Sequence, residues 1–399
     1  MIETLITIRL ISDYFWESKA IGAASAVIFI ATALVFFTYK NNKFRPVGTD
    51  LLFASFLLVA LTAEITNPTN SSMVELMKFI AYFFIYLAGR IGPTNFHKPN
   101  GLGFICLTAL AAFSAAAFAD IGYQYWGSVA TFSGGYFFKT DMAISALILL
   151  AIVSSTLTSR LAAIIAAFFA TYIVFKTNAR IALPLTIAIP AFAILVRSGY
   201  IQRLNAKALG YFCLIAGIGM SLFMLIDFRA LGLLPFDFSD PFSAANTQGR
   251  TVIWAALLEA YLQADPLRKL IGLGLGADAA ATSMYSASAQ LEGVRAHNSY
   301  LYLLICTGIL GSALFASLLI SIFRRVPALI LHGDRQSMIA GILFATLILI
   351  FLWTSLTTEI IIRAQLMALV FYLAGIVVQR NLTLKKMAIL RRVESSTHS

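Results

Sequence analysis

Charge is scarce in this sequence. Only 12% of its 399 residues are Asp, Glu, Lys or Arg, against roughly a quarter in an ordinary soluble domain. A water-soluble fold of this size is excluded, because its surface would lack the charge that keeps it in solution. Cysteine is nearly absent. Cys106, Cys213 and Cys306 all fall within apolar runs, so no disulfide framework follows. Histidine is limited to His97, His297, His332 and His398. There is no GxSxG elbow for a serine nucleophile and no DxD or DxDxDG run in the large polar segment. Short alternating segments of the kind that build a transmembrane barrel are missing as well. The first twenty residues carry Glu3, Arg9, Asp13 and Glu17 and no small-residue cleavage site after an apolar core, so an uncleaved anchor is expected.

What the chain has is apolar length. Hydrophobic residues make up 60% of it and the mean hydropathy is +0.85. Runs long enough to cross a bilayer as helices recur throughout. The expected architecture is an all-α polytopic membrane protein with about 11–12 transmembrane helices and one large external loop containing short helices. The expected spans are 20–38, 51–65, 73–91, 101–119, 141–158, 160–176, 180–197, 208–226, 298–323, 337–356 and 359–379, followed by a short basic tail. Residues 1–399 form one integral membrane domain, with no repeat and no second soluble domain. Pro184 and Pro190 are expected to kink the span at 180–197. Residues 120–140 read as a polar-aromatic loop suited to a membrane interface, and 228–296 as the large loop.

Sorting charge by loop gives an orientation. One set of loops holds seventeen basic residues against Asp50, Asp334 and Glu394. The positive-inside rule puts this set, and the C-terminal tail, in the cytoplasm. The net charge of +11 is therefore a topology signal and implies no nucleic acid, since the basic residues sit in short, separate loops. On this reading the loop 228–296 is external, and His297 is the one external histidine. No two-histidine metal site can form on that side, and no metal is expected.

The external loop carries a constellation of residues. Arg250 is expected to start a helix capped by Asn246 or Thr247. Val252, Trp254, Leu257, Leu258 and Tyr261 give that helix an apolar side, and Asp265-Pro266 ends it. Gly272, Gly274 and Gly276 read as turns, with approach of their amides to phosphate as the alternative. His297-Asn298 opens a long apolar helix, on which His297, Leu301, Leu304, Gly308 and Gly311 share one face for close helix packing. Arg180 and Arg363 lie at outer span ends, where an arginine is costly and marks a candidate function. Glu359, four residues before Arg363, is placed to pair with it along a helix. Arg295 adds to the positive charge near His297.

These motifs resemble those of the O-antigen ligase and polymerase superfamily of bacterial envelope biogenesis. The resemblance covers roughly residues 160–380. It rests on Arg180 in TNARIAL, on Gly249-Arg250 and Trp254 followed by the P…G.G.G run, and on His297-Asn298 with Gly308-x-x-Gly311. Ala179 and Ile181 flank Arg180 where the family usually has a serine. The resemblance implies a glycosyltransferase of the bacterial inner membrane, with its active site facing the periplasm. The donor would be a glycan on undecaprenyl pyrophosphate and the acceptor a sugar hydroxyl of lipid A–core, among membrane lipids. No cofactor is implied, because the donor is already activated. Arg180 and Arg250 would hold the pyrophosphate and His297 would take the acceptor proton or orient the sugar. Trp254, Asn298, Arg295, Glu359 and Arg363 would support them. A repeat-unit polymerase of the same superfamily is the nearest rival, and a lipid-linked-sugar flippase without chemistry is the rival from another class.

Overall fold

A computed structural model describes residues 31, 45–68, 72–92, 94–96, 98–126, 129–136, 138–199, 250–285 and 294–397. The expected span 208–226 lies outside the described residues, as does that at 20–38 but for residue 31, and so do the proposed caps Asn246 and Thr247 and the first part of the large loop. The described chain is helical almost throughout. In order, it forms α1 (Gly48–Thr66), α2 (Ser72–Ile91), α3 (Pro99–Phe118), strands β1 (Tyr123–Trp126) and β2 (Val129–Phe132), α4 (Lys139–Thr156), α5 (Arg160–Lys176), a 3-10 turn (Arg180–Ala182), and α6 (Leu183–Arg197). After the undescribed stretch come α7 (Arg250–Gln263), α8 (Pro266–Ile271), α9 (Ala277–Tyr285), α10 (Ser299–Phe323), α11 (Val326–His332) and α12 (Arg335–Thr354). A second 3-10 turn (Ile360–Ile362) leads into α13 (Ala364–Thr397). Seven helical stretches among the described residues are long and apolar enough to cross a membrane. The chain is an all-α, multi-pass membrane protein.

Local chemistry sets the helix boundaries. Side chains at the helix starts accept otherwise orphaned backbone N–H groups: Ser159 from Ala162, Asn298 from Tyr300 and Leu301, and Asp334 from Ser337. Pro99, Pro184 and Pro266 stand in first turns, where a missing N–H costs nothing. Burial then sorts the helices. In α4 every residue from Met142 to Thr156 is buried, so it is the central post of the bundle. On α3 and α5, Phe104, Ile105, Leu161 and Phe168 are exposed, as suits lipid-facing helices.

Polar contacts knit the bundle at two ends. At one, Arg90 pairs with Asp50 at 3.1 Å and donates to Gln379. Nearby, Arg380 binds Thr94, Asn95 and Asp334. This end carries the residues expected in the cytoplasm. The other end gathers the start of α2, the hairpin, the starts of α4 and α10, and the α12–α13 connector, and it holds the candidate site.

Three expectations are corrected here. The segment 120–140 contains an antiparallel hairpin pairing Tyr123 with Phe132, because aromatic and β-branched residues alternate on both sides of its turn. The last helix starts at Ala364 rather than 359 and runs to Thr397, through the expected tail. No glycine or proline follows Gly375, and Lys385, Lys386, Arg391 and Arg392 are good helix formers. Finally, α7 buries Ile253, Ala256, Leu257, Ala260 and Tyr261, while Val252 and Leu258 are exposed. Its apolar residues thus serve two faces, one against protein and one outward.

Candidate functional site

The residues before α10 are fixed atom by atom. The Ala296 N–H donates to Asp278 at 3.1 Å, and its carbonyl accepts from the Trp254 indole at 2.9 Å. The His297 N–H donates to Glu359 Oε1 at 2.6 Å. Asn298 caps α10 with its oxygen and donates its amide to the Leu356 carbonyl at 3.2 Å. His297 itself has φ 48, in the left-handed region that L residues seldom adopt. Such a conformation persists when neighbours over-determine it, and the bonds to residues 296, 297 and 298 do so. The imidazole is exposed and has no hydrogen bond among the described residues. Crowding by protein, then the charges of Arg250, Arg363 and Arg295, hold its pKa below the usual 6.5.

Behind this loop lies a buried ionic cluster. Arg295 pairs with Glu75 of α2, with Asp278 of α9 at 3.2 Å and with Glu359 at 3.4 Å. The Tyr302 hydroxyl donates to Glu75. Burial pushes the Asp278 and Glu359 carboxyls above the ordinary range, and Arg295 only partly offsets this. The charges of Glu75 and Glu359 also bear on Lys78 of α2, which sets a second cation beside the Arg295 guanidinium against the three carboxylates. The cluster ties α2, α9, the His297 loop and the α12–α13 connector into one unit. The expected pairing of Glu359 with Arg363 is not formed. The chain between them is a 3-10 turn, not an α-helix, so the i,i+4 geometry is absent. Arg363 instead pairs with Asp141 at 3.0 Å and lies 4.8 Å over the Phe138 ring.

In front of the loop are further cations. Arg250 is the first described residue of α7, Lys139 the first residue of α4, and Arg180 opens the turn into α6. That turn is anchored by the Trp353 indole, which donates to the Ile181 carbonyl at 2.6 Å. The charges of Arg250 and Arg180 both bear on Lys139, and that of Arg250 also bears on His297. A cation at a helix N-terminus opposes the helix dipole. Arg250 and Lys139 are half-buried and have no hydrogen bond or ion pair among the described residues. Such a grouping costs the free protein energy and favours an anion.

The glycine run has a structural use. Gly308 (φ 67, ψ −173) breaks α10, so the expected single face from His297 to Gly311 is interrupted. The break receives the 270–273 segment, with the Leu273 N–H donating to the Ile305 carbonyl at 2.8 Å. A Cβ on Gly272 would strike the Cys306–Thr307 backbone, and one on Gly308 would strike Leu270 and Gly272. The two backbones cross in contact, which leaves the Leu273 amide unavailable to phosphate.

The structure thus brings Arg180, Arg250, Trp254, Arg295, His297, Asn298, Glu359 and Arg363 to one end of the bundle. The sequence reading missed Glu75, Lys139, Asp141 and Asp278. Glu75 carried a signal, being a carboxylate within an apolar run. Among the described residues, no three His, Cys, Asp or Glu side chains are arranged to hold a metal ion. Searches against protein-family models and curated proteins find no match for the chain.

Glu359 offers a test of how the loop is held. Glu359→Ala removes the acceptor of the His297 N–H and should destabilise the protein by about 1–3 kcal/mol, the cost of leaving a buried donor without its partner. Glu359→Gln keeps an acceptor oxygen and should lose less. Equal losses in the two variants, read from their unfolding curves, would show that the hydrogen bond is not what matters.

Proposed function

We propose that this protein is an O-antigen ligase of the bacterial inner membrane, acting at its periplasmic face. It transfers a glycan from undecaprenyl pyrophosphate to a sugar hydroxyl of lipid A–core. The observation that carries this reading is an exposed, weakly basic imidazole on which the charge of Arg250 acts, Arg250 having no hydrogen bond or ion pair among the described residues. A donor of this kind requires both: a cation for the leaving group and a base for the nucleophile.

In the reaction, the acceptor hydroxyl oxygen attacks the anomeric carbon of the donor sugar. The bond from that carbon to the phosphate oxygen breaks, and its electron pair leaves with the pyrophosphate. The hydroxyl proton passes to the neutral imidazole of His297. A single displacement inverts the anomeric centre. Arg250 and Arg180 stabilise the charge that grows on the leaving group, as fixed cations in a partly desolvated site do. The lowered pKa of His297 keeps it in the base form at neutral pH. Arg295 and Glu359 position the His297 backbone, and Trp254 and Asn298 fix its neighbours. Arg363, held by Asp141 and Phe138, contributes to the field around the imidazole.

The test is the lipopolysaccharide of cells lacking the gene. Core without glycan, alongside accumulated lipid-linked polymer, supports the ligase. Core carrying one repeat unit would make the protein a polymerase. Loss of polymer from the periplasmic leaflet would make it a flippase.

A further inference from the structure

The first turn of α4 lies outside every motif that suggested a function, yet it joins the two halves of the site. Phe138 and Asp141 both hold Arg363, which acts on His297. The same helix packs on the turn that begins with Arg180. Lys139 stands between these contacts. The charges that bear on it are those of Arg250 and Arg180, and Arg363 is not among them. Lys139 therefore belongs with the arginines assigned to the leaving group.

We infer that Lys139 is a third arm of the diphosphate site, placed with Arg250 and Arg180 by the first turn of α4, and that it makes the site selective for a diphosphate over a single phosphate. The charges of Arg250 and Arg180 repel that of Lys139, and neither Lys139 nor Arg250 has a counter-charge among the described residues. A single phosphate can engage two arginines bidentately. A diphosphate has a second charged group for a third cation, and an ammonium on a flexible stem suits it as a point charge. This inference rests on the assignment of Arg180 and Arg250 to pyrophosphate.

The experiment titrates the purified full-length protein, in nanodiscs of phosphatidylcholine, with inorganic pyrophosphate and with inorganic phosphate. Wild type should bind pyrophosphate more tightly. Lys139→Gln should weaken pyrophosphate about tenfold and change phosphate little, while Lys139→Arg stays near wild type with an unchanged melting temperature. If Arg250→Gln loses pyrophosphate binding and Lys139→Gln does not, the inference fails and the Arg250 assignment stands. If neither variant loses affinity, both fall. Discs containing phosphatidylglycerol distinguish the sources of the anion. Competition by that lipid in wild type would make this a phospholipid headgroup site and overturn selectivity for diphosphate.

Discussion

Replacing Arg250 with alanine is expected to lower glycan transfer by about 10²–10³-fold or more, because removing one preorganised charge-stabilising donor has an effect of that size. The protein should remain folded and inserted. Arg250 makes no hydrogen bond or ion pair among the described residues, so its removal takes no described contact from the fold. Arg250→Lys should restore activity only in part, since lysine lacks the planar fork that meets two phosphate oxygens at once. Arg180→Ala should act in the same direction. Transfer assays on purified variants with matched melting curves decide the matter. Full activity in Arg250→Ala would remove the leaving-group role.

Loss of the His297 imidazole should lower turnover by about 10²–10⁴-fold, with donor binding weakened much less, because a general base acts in the transition state. Alanine alone is an ambiguous probe, since His297 occupies left-handed backbone. Asparagine tolerates that conformation and keeps a polar side chain without a useful base. Both variants should be equally slow. Activity in His297→Asn close to wild type would mean that the residue shapes the loop and does no proton chemistry. The acid limb of kcat/KM should lie below 6.5, the ordinary imidazole value, because desolvation and the neighbouring arginines disfavour the charged ring. The sign follows directly: as pH falls through the lowered pKa, the base is protonated and activity is lost. Arg250→Gln removes part of that repulsion and should move the limb upward in the residual activity. Wild-type transfer should persist in excess EDTA.

Much of the fold was legible because apolar run length dictates it. Helices stand at nine of the eleven expected spans among the described residues, and α5 spans Arg160–Lys176, as expected. A helix through Trp254 and Tyr261 that ends before Asp265-Pro266, and the cap at Asn298, were legible from local rules about helices and their ends. Long-range pairing was not. The Glu359–Arg363 spacing suggested a helical ion pair, but a 3-10 turn separates them and each finds a partner far away in sequence, Arg295 and Asp141. Gly308 read as a helix-packing glycine, and its positive φ came only from the segment that crosses it. Glu75 and Lys139 were visible as charges beside apolar runs. Which charges they meet depends on tertiary packing that no spacing encodes.

The most direct measurement of the central claim is transfer by the purified protein in lipid discs, supplied with an undecaprenyl-pyrophosphate glycan and lipid A–core and with no nucleotide. The account predicts a core-linked glycan with inverted anomeric configuration, formed with release of one undecaprenyl pyrophosphate per product and abolished in Arg250→Ala. Movement of the donor between leaflets with no new glycosidic bond would contradict it.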